Sequence, residues 1–242
     1  MSEMSETSET SEMSERRTGE TPIYRLEDVS RTYGAGDAVI HALDGVSVDI
    51  APGELVAITG ASGSGKSTML QLLGGLDRPT SGTIEFEGRE MSRLGDEALT
   101  RLRLERIGFV FQQFNLIPTL SAQENVEVAI APTGVPGPAR VARARELLVR
   151  VGLGARGGHL PSELSGGEQQ RVAIARSLAN GPDVILADEP TGNLDSRTGE
   201  AILGLMRELW GQEGMTVVLI THDREVAAAA PRRIELVDGR VA

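Results

Sequence analysis

The sequence predicts an α/β fold: a largely parallel sheet flanked by helices and interrupted by a helical insert. Three observations carry this. The glycine-rich stretch Gly60-Ala61-Ser62-Gly63-Ser64-Gly65-Lys66-Ser67-Thr68 follows the strand-like run Leu55–Thr59 and leads into the helix-like run Met69–Leu73. Four apolar runs end abruptly in polar residues, at Gly60, at Gln112, at Asp188-Glu189 and at His222. Residues from about 89 to 163 read as mostly helical between strand-rich flanks. Open α/β sheets bind ligands at the carboxyl ends of their strands, so the four polar ends are expected to converge on one ligand.

In chain order, residues 1 to about 20 repeat Ser-Glu-Met and Ser-Glu-Thr. They hold too little apolar surface to offset chain entropy and are expected to be disordered. Ile23–Val29 alternates as a strand. Tyr33 follows in a glycine-containing turn, where it suits either surface packing or stacking on a flat ligand. Val39–Ile50 is rich in β-branched residues and ends at Pro52-Gly53, reading as one or two strands. After the glycine-rich loop, Arg78–Gly82 is a turn and Thr83–Phe86 a short strand. Asp96–Arg106 has helical spacing, and Ile107–Phe111 is a buried strand ending in Gln112-Gln113. Ala122–Ile130 and Ala139–Val151 read as helices separated by a proline-rich break. Ser165 and Glu168 form a capping box that opens a helix reaching Ala179. The strand Asp183–Ala187, the amphipathic helix Thr198–Trp210, the strand Thr216–Ile220 and a last strand Arg233–Val237 complete the pattern.

The glycine-rich stretch has phosphate-loop spacing: Gly, four residues, Gly, Lys, Ser. Its glycines let backbone N–H groups turn inward on an anion, and the following helix adds the positive end of its dipole. Lys66 would reach the β- and γ-phosphates and Ser67 would hold Mg²⁺. Of 24 basic residues Lys66 is the only lysine; a compact ammonium fits a tight phosphate cradle better than a planar fork. Asp188 is placed to hold the cation, and Glu189 to act as general base on water. His222 is read as contacting the γ-phosphate or holding Glu189. Gln112 is read as a metal-binding amide that reports ligand state to the insert. His41 and His159 lack such context and read as ordinary. The helix start Ser165-Gly166-Gly167 offers a second set of free N–H groups. It is either a plainly capped helix or an anion site for the nucleotide of a second, two-fold-related subunit.

Composition excludes several classes. There is no cysteine, which rules out disulfides and thiolate metal sites in this chain. No apolar run approaches the ~20 residues of a membrane span, and the acidic, polar N-terminus does not read as a signal peptide. The net charge is −11, of which Glu3, Glu6, Glu9, Glu12 and Glu15 contribute five units unopposed, leaving −6 for the remainder. An acidic body is a poor non-specific binder of nucleic acid. A cytoplasmic protein is the simplest expectation.

Together these residues resemble the ATP-binding-cassette family, from about Ile23 to Val241. Gly60–Thr68 matches its phosphate loop, Leu164–Glu168 its signature motif and Val184–Glu189 its Walker B strand. Asn193-Leu194-Asp195 matches the D-loop, Gln112 the Q-loop, His222 the switch histidine and Tyr33 the adenine-stacking aromatic. Phe111–Leu120 and Ala187–Asp195 are similar to the MacB/LolD/FtsE group, whose members work with FtsX-type permeases in lipoprotein release, peptide or drug efflux, or cell-division signalling. Ala61 stands where many members have proline, and the run at 154–158 is more flexible than usual. Neither departure removes a ligand.

The resemblance implies a P-loop NTPase: a RecA-like core with an N-terminal antiparallel β subdomain, plus a helical subdomain. The expected bounds are about 21–88 and 164–242 for the core and about 89–163 for the helical subdomain. It implies ATP and Mg²⁺ as cofactors, with Ser67, Gln112 and Asp188 at the metal. It implies ATP hydrolysis in a head-to-tail dimer, with Ser165, Gly166, Gly167 and Asp195 facing the partner's nucleotide. An integral membrane permease would be the working partner and would hold the protein at the inner face of the membrane. A complex that moves a membrane partner mechanically and transports nothing is the alternative.

Overall fold

The computed structural model describes residues 21–34 and 39–242, so the acidic repeats of 1–20 lie outside the described residues. Ten strands and seven helices are present among the described residues, with short 3₁₀ turns between them. The strands form two sheets.

The antiparallel sheet has the order β2-β1-β4-β5. It comprises β1 (Tyr24–Tyr33), β2 (Ile40–Ile50), β4 (Ser81–Phe86) and the two-residue β5 (Arg89–Glu90). β1 runs on past Val29 to include Tyr33, and Val39–Ile50 yields one strand, not two.

The second sheet has the order β10-β9-β3-β8-β7-β6 and is parallel except for β10. Its strands are β3 (Leu55–Thr59), β6 (Ile107–Phe111), β7 (Val184–Asp188), β8 (Thr216–Ile220), β9 (Arg232–Val237) and β10 (Arg240–Val241). Strands of a parallel sheet covered on both faces read as unbroken apolar runs. Alternate residues here serve two cores. Ala57, Ile185, Ala187 and Val217 join the helical side with Val126, Leu147 and Val172. Val56, Ile58, Leu186 and Val218 join the other side with Leu26, Ile84 and Leu72.

The helices are α1 (Lys66–Leu73), α2 (Asp96–Arg106), α3 (Ala122–Ile130), α4 (Gly137–Arg150), α5 (Gly166–Ser177), α6 (Ser196–Glu213) and the short α7 (Arg224–Ala228). α3, α4 and α5 pack on one another, and α5 also packs on β6.

The range 89–163 expected for the helical subdomain holds a strand as well as helices. β6 falls inside that range, yet it forms the edge of the parallel sheet, with Ile107 opposite Val184 and Phe111 opposite Asp188. Its sequence is apolar on both faces, as a parallel strand covered by helices requires. α3 and α4 follow β6 before the chain re-enters the sheet at β7.

Candidate active site

β3 delivers the chain to Gly60, and α1 begins at Lys66 with Gly65 as its N-cap in the left-handed region at φ 102°. Two of the loop glycines are sterically required. A Cβ on Gly60 would lie 2.2 Å from the carbonyl oxygen of Leu236, and one on Gly65 would lie 2.3 Å from that of Ala42. Lys66 Nζ donates to the carbonyls of Gly60 at 2.8 Å and Ala61 at 2.7 Å, which holds the ammonium over the loop. The residue is only 8% exposed. The buried Ser64 Oγ has no hydrogen-bond partner among the described residues.

A cleft of about 550 Å³ opens over this loop. Ser62, Gly63, Gly65, Lys66, Ser67 and Thr68 form one wall. Gln112 enters from the end of β6, Asp188 and Glu189 from the end of β7, and His222 from just beyond β8. Register explains the convergence. Phe111 lies opposite Asp188, and Asp188 opposite Ile220, so three adjacent parallel strands release their chains at one level. A larger cleft of about 820 Å³ lies elsewhere, beside α2, and includes none of these strand-end residues.

Glu189 sits in the left-handed region at φ 46°, a conformation that costs a non-glycine residue about 1 kcal/mol or more. Its N–H donates to Ile220 O at 2.9 Å. Its Oε1 accepts from the backbone N–H of His222 at 3.1 Å and lies 2.5 Å from His222 Nδ1. The Glu189 side chain is 15% exposed and that of His222 69%. Burial first, and then the charge of Glu189, hold the Asp188 carboxyl above its ordinary value, with Lys66 pulling the other way. Ser67, Gln112 and Asp188 supply oxygen donors to one cleft. That is the hard set magnesium takes alongside substrate phosphates.

Three lining residues carry no sequence signal: Ile40, His41 and Ala42, at the start of β2. Only the passage of β2 over Gly65 brings them there. His41, ordinary by sequence, therefore belongs to the cleft wall.

Tyr33 is outside the lining and is not on a loop. It ends β1 opposite Ile40. Its hydroxyl donates to Asp77 Oδ2 at 2.9 Å, while the Arg31 guanidinium stands 4.5 Å from its ring centre. Ser165, Gly166, Gly167 and Asp195 are also outside the lining of this cleft. Each of three has a structural role within the chain. Ser165 and Glu168 complete the expected capping box on α5. Gly167 lets α5 approach α6, since a Cβ there would fall 2.3 Å from Thr198 Cγ2. Asp195 caps α6, accepting from Thr198 N at 3.0 Å.

The chain matches the ABC transporter family over residues 43–192. It is 53% identical over 220 residues to a macrolide export ATP-binding/permease protein, MacB 1/2, of Paracoccus denitrificans, covering 91% of this chain and 33% of that protein. It is 53% identical over 223 residues to the pyoverdine export ATP-binding/permease protein PvdT of Pseudomonas fluorescens, covering 92% and 34%. The chain thus spans about a third of the length of these relatives. Among solved structures it resembles a dimeric post-hydrolysis state of the ATP-binding cassette MJ0796 bound to ADP and Pi. The TM-score is 0.83 and the identity 49%, covering 90% of this chain and 96% of that one. With the phosphate loop, the acidic strand end and the histidine gathered in one cleft, the chain belongs to the ABC transporter family and is an ATP-binding, ATP-hydrolysing cassette.

Proposed function

We propose that this cassette hydrolyses Mg²⁺-ATP in a two-fold sandwich with a second copy and thereby drives a membrane permease lying outside residues 1–242. The observation that carries the hydrolytic part is the meeting of four strand ends in one cleft, with Glu189 held by His222.

In this reading the amides of residues 62–66 and the Lys66 ammonium bind the phosphates. Ser67, Gln112 and Asp188 hold Mg²⁺, which neutralises phosphate charge. Glu189 takes the proton of the attacking water, and His222 keeps its carboxylate aimed. Tyr33 stacks on adenine at the rim, next to its ladder partner Ile40, which lines the cleft. Ser165, Gly166, Gly167 and Asp195 lie outside the lining of this cleft, which suits a role at the nucleotide of the other copy.

Export by the MacB and PvdT relatives favours a permease of that type over a purely mechanical FtsX-like complex. The docking segment is the loop 112–120. Arg176 donates to the carbonyls of Phe114 at 2.8 Å and Asn115 at 2.6 Å, tying that loop to α5. Ile117 is among its exposed apolar side chains.

Glu189→Gln tests the chemistry. It should still bind ATP, while turnover falls about 100-fold or more, the range for loss of a general base. Turnover within a factor of about 3 of the parent would remove Glu189 from that role. Movement of a solute by the permease complex in vesicles, with none moved by the Glu189→Gln form, separates transport from mechanical signalling.

A further inference from the structure

Gln112 and Asn193 exchange two contacts that fix the direction of both amides. Asn193 Nδ2 donates to the backbone carbonyl of Gln112 at 2.9 Å. Gln112 Nε2 is 3.3 Å from Asn193 Oδ1. A backbone carbonyl only accepts, so the amide nitrogen of Asn193 must face it. That turns Asn193 Oδ1 toward the Gln112 side chain. An amide oxygen also only accepts, so Gln112 must present Nε2 to it. Its Oε1 is then the end left for another partner.

Gly192 supports the same arrangement from below. A Cβ there would lie 2.7 Å from Gln112 Nε2 and 3.2 Å from its Cδ. The Gln112 amide therefore lies directly against the Gly192 backbone, in a space any other residue would fill.

We infer that Asn193 is a positioning residue for the cation: it locks the Gln112 side-chain amide so that Oε1, not Nε2, is offered to the metal. This rests on the proposed role of Gln112 as a metal ligand. A flipped amide would aim two N–H groups at a dication, so the lock selects the one productive orientation. It also joins the loop after β6 to the segment leading into α6.

The test measures Mn²⁺ binding in the presence of a non-hydrolysable ATP analogue, read as loss of the free-ion paramagnetic resonance signal. Asn193→Ala should weaken Mn²⁺ about tenfold, the scale for losing a partner that orients a metal ligand. Affinity for the analogue without divalent ion should stay at the parent value. Gln112→Glu supplies the control, because a carboxylate offers oxygen at both ends and needs no orienting. In that background Asn193→Ala should weaken Mn²⁺ no further. Gly192→Ala, which displaces the amide, should behave as Asn193→Ala does.

Unchanged Mn²⁺ affinity in Asn193→Ala, beside a clear loss in Gln112→Ala, would overturn the inference and leave the ligand role standing. An equal loss of analogue affinity without metal would show a general structural role and also overturn it. No loss in Gln112→Ala would remove the ligand role and the inference together.

Discussion

At the residue scale, the site's central groups are held in states they would not adopt alone. Glu189 occupies a left-handed backbone conformation, and the Asp188 carboxyl is held above its ordinary value by burial and by Glu189. The second fact has a stability consequence. A carboxyl whose folded-state pKa is raised favours the fold while protonated, below its unfolded value near 3.8. That contribution is lost as pH rises through the raised value. Asp188→Asn, which mimics the protonated form, should therefore melt higher than the parent at neutral pH. The difference should shrink toward zero as pH falls to about 4. A gain of the same size at both pH values would contradict the assignment. The acidic pair was visible in the sequence because it follows an unbroken apolar run. His41 was not, because its role depends on a strand crossing a loop distant in sequence.

At the element scale, one buried side chain makes four hydrogen bonds to the backbone at the end of the loop between β6 and α3. The buried Asn125 accepts from Ile117 N at 2.7 Å. It donates to the carbonyls of Ile117 at 3.1 Å, Leu120 at 2.9 Å and Ser121 at 3.0 Å. Asn125→Ala strands several of these backbone groups and should cost about 3 kcal/mol in chemical denaturation. A loss under about 1 kcal/mol would show that water satisfies the loop without it. The capping signal of α5 was legible, and Ser165 with Glu168 forms the complete box; Ser121 with Glu124 forms a second box that opens α3. β6 was legible as a strand whose end meets the other three, but its place at the sheet edge beside β7 was not, because pairing is a long-range fact. Nothing in a local pattern marks α7, whose five residues hold too little periodicity. The glycines after Tyr33 suggest a turn, but the β1–β2 ladder carries the strand to that point.

At the scale of the whole molecule, one chain carries a phosphate cleft and, outside the lining of that cleft, the start of α5. The fold was legible in the sequence since parallel strands buried on both faces announce themselves as apolar runs. The start of α5 stays open between a plain cap and a partner's nucleotide site, since Ser165 and Gly167 satisfy cap and packing needs within a single chain. No described helix is long and apolar enough to cross a membrane. The most direct measurement is the mass of the Glu189→Gln protein by light scattering with and without Mg²⁺-ATP. The proposed sandwich predicts a doubling of the 25.7 kDa mass with nucleotide. It also predicts that Ser165→Arg in the same background stays monomeric while still binding ATP. A Glu189→Gln protein that remains monomeric at saturating Mg²⁺-ATP, or a Ser165→Arg form that dimerises as before, would contradict it.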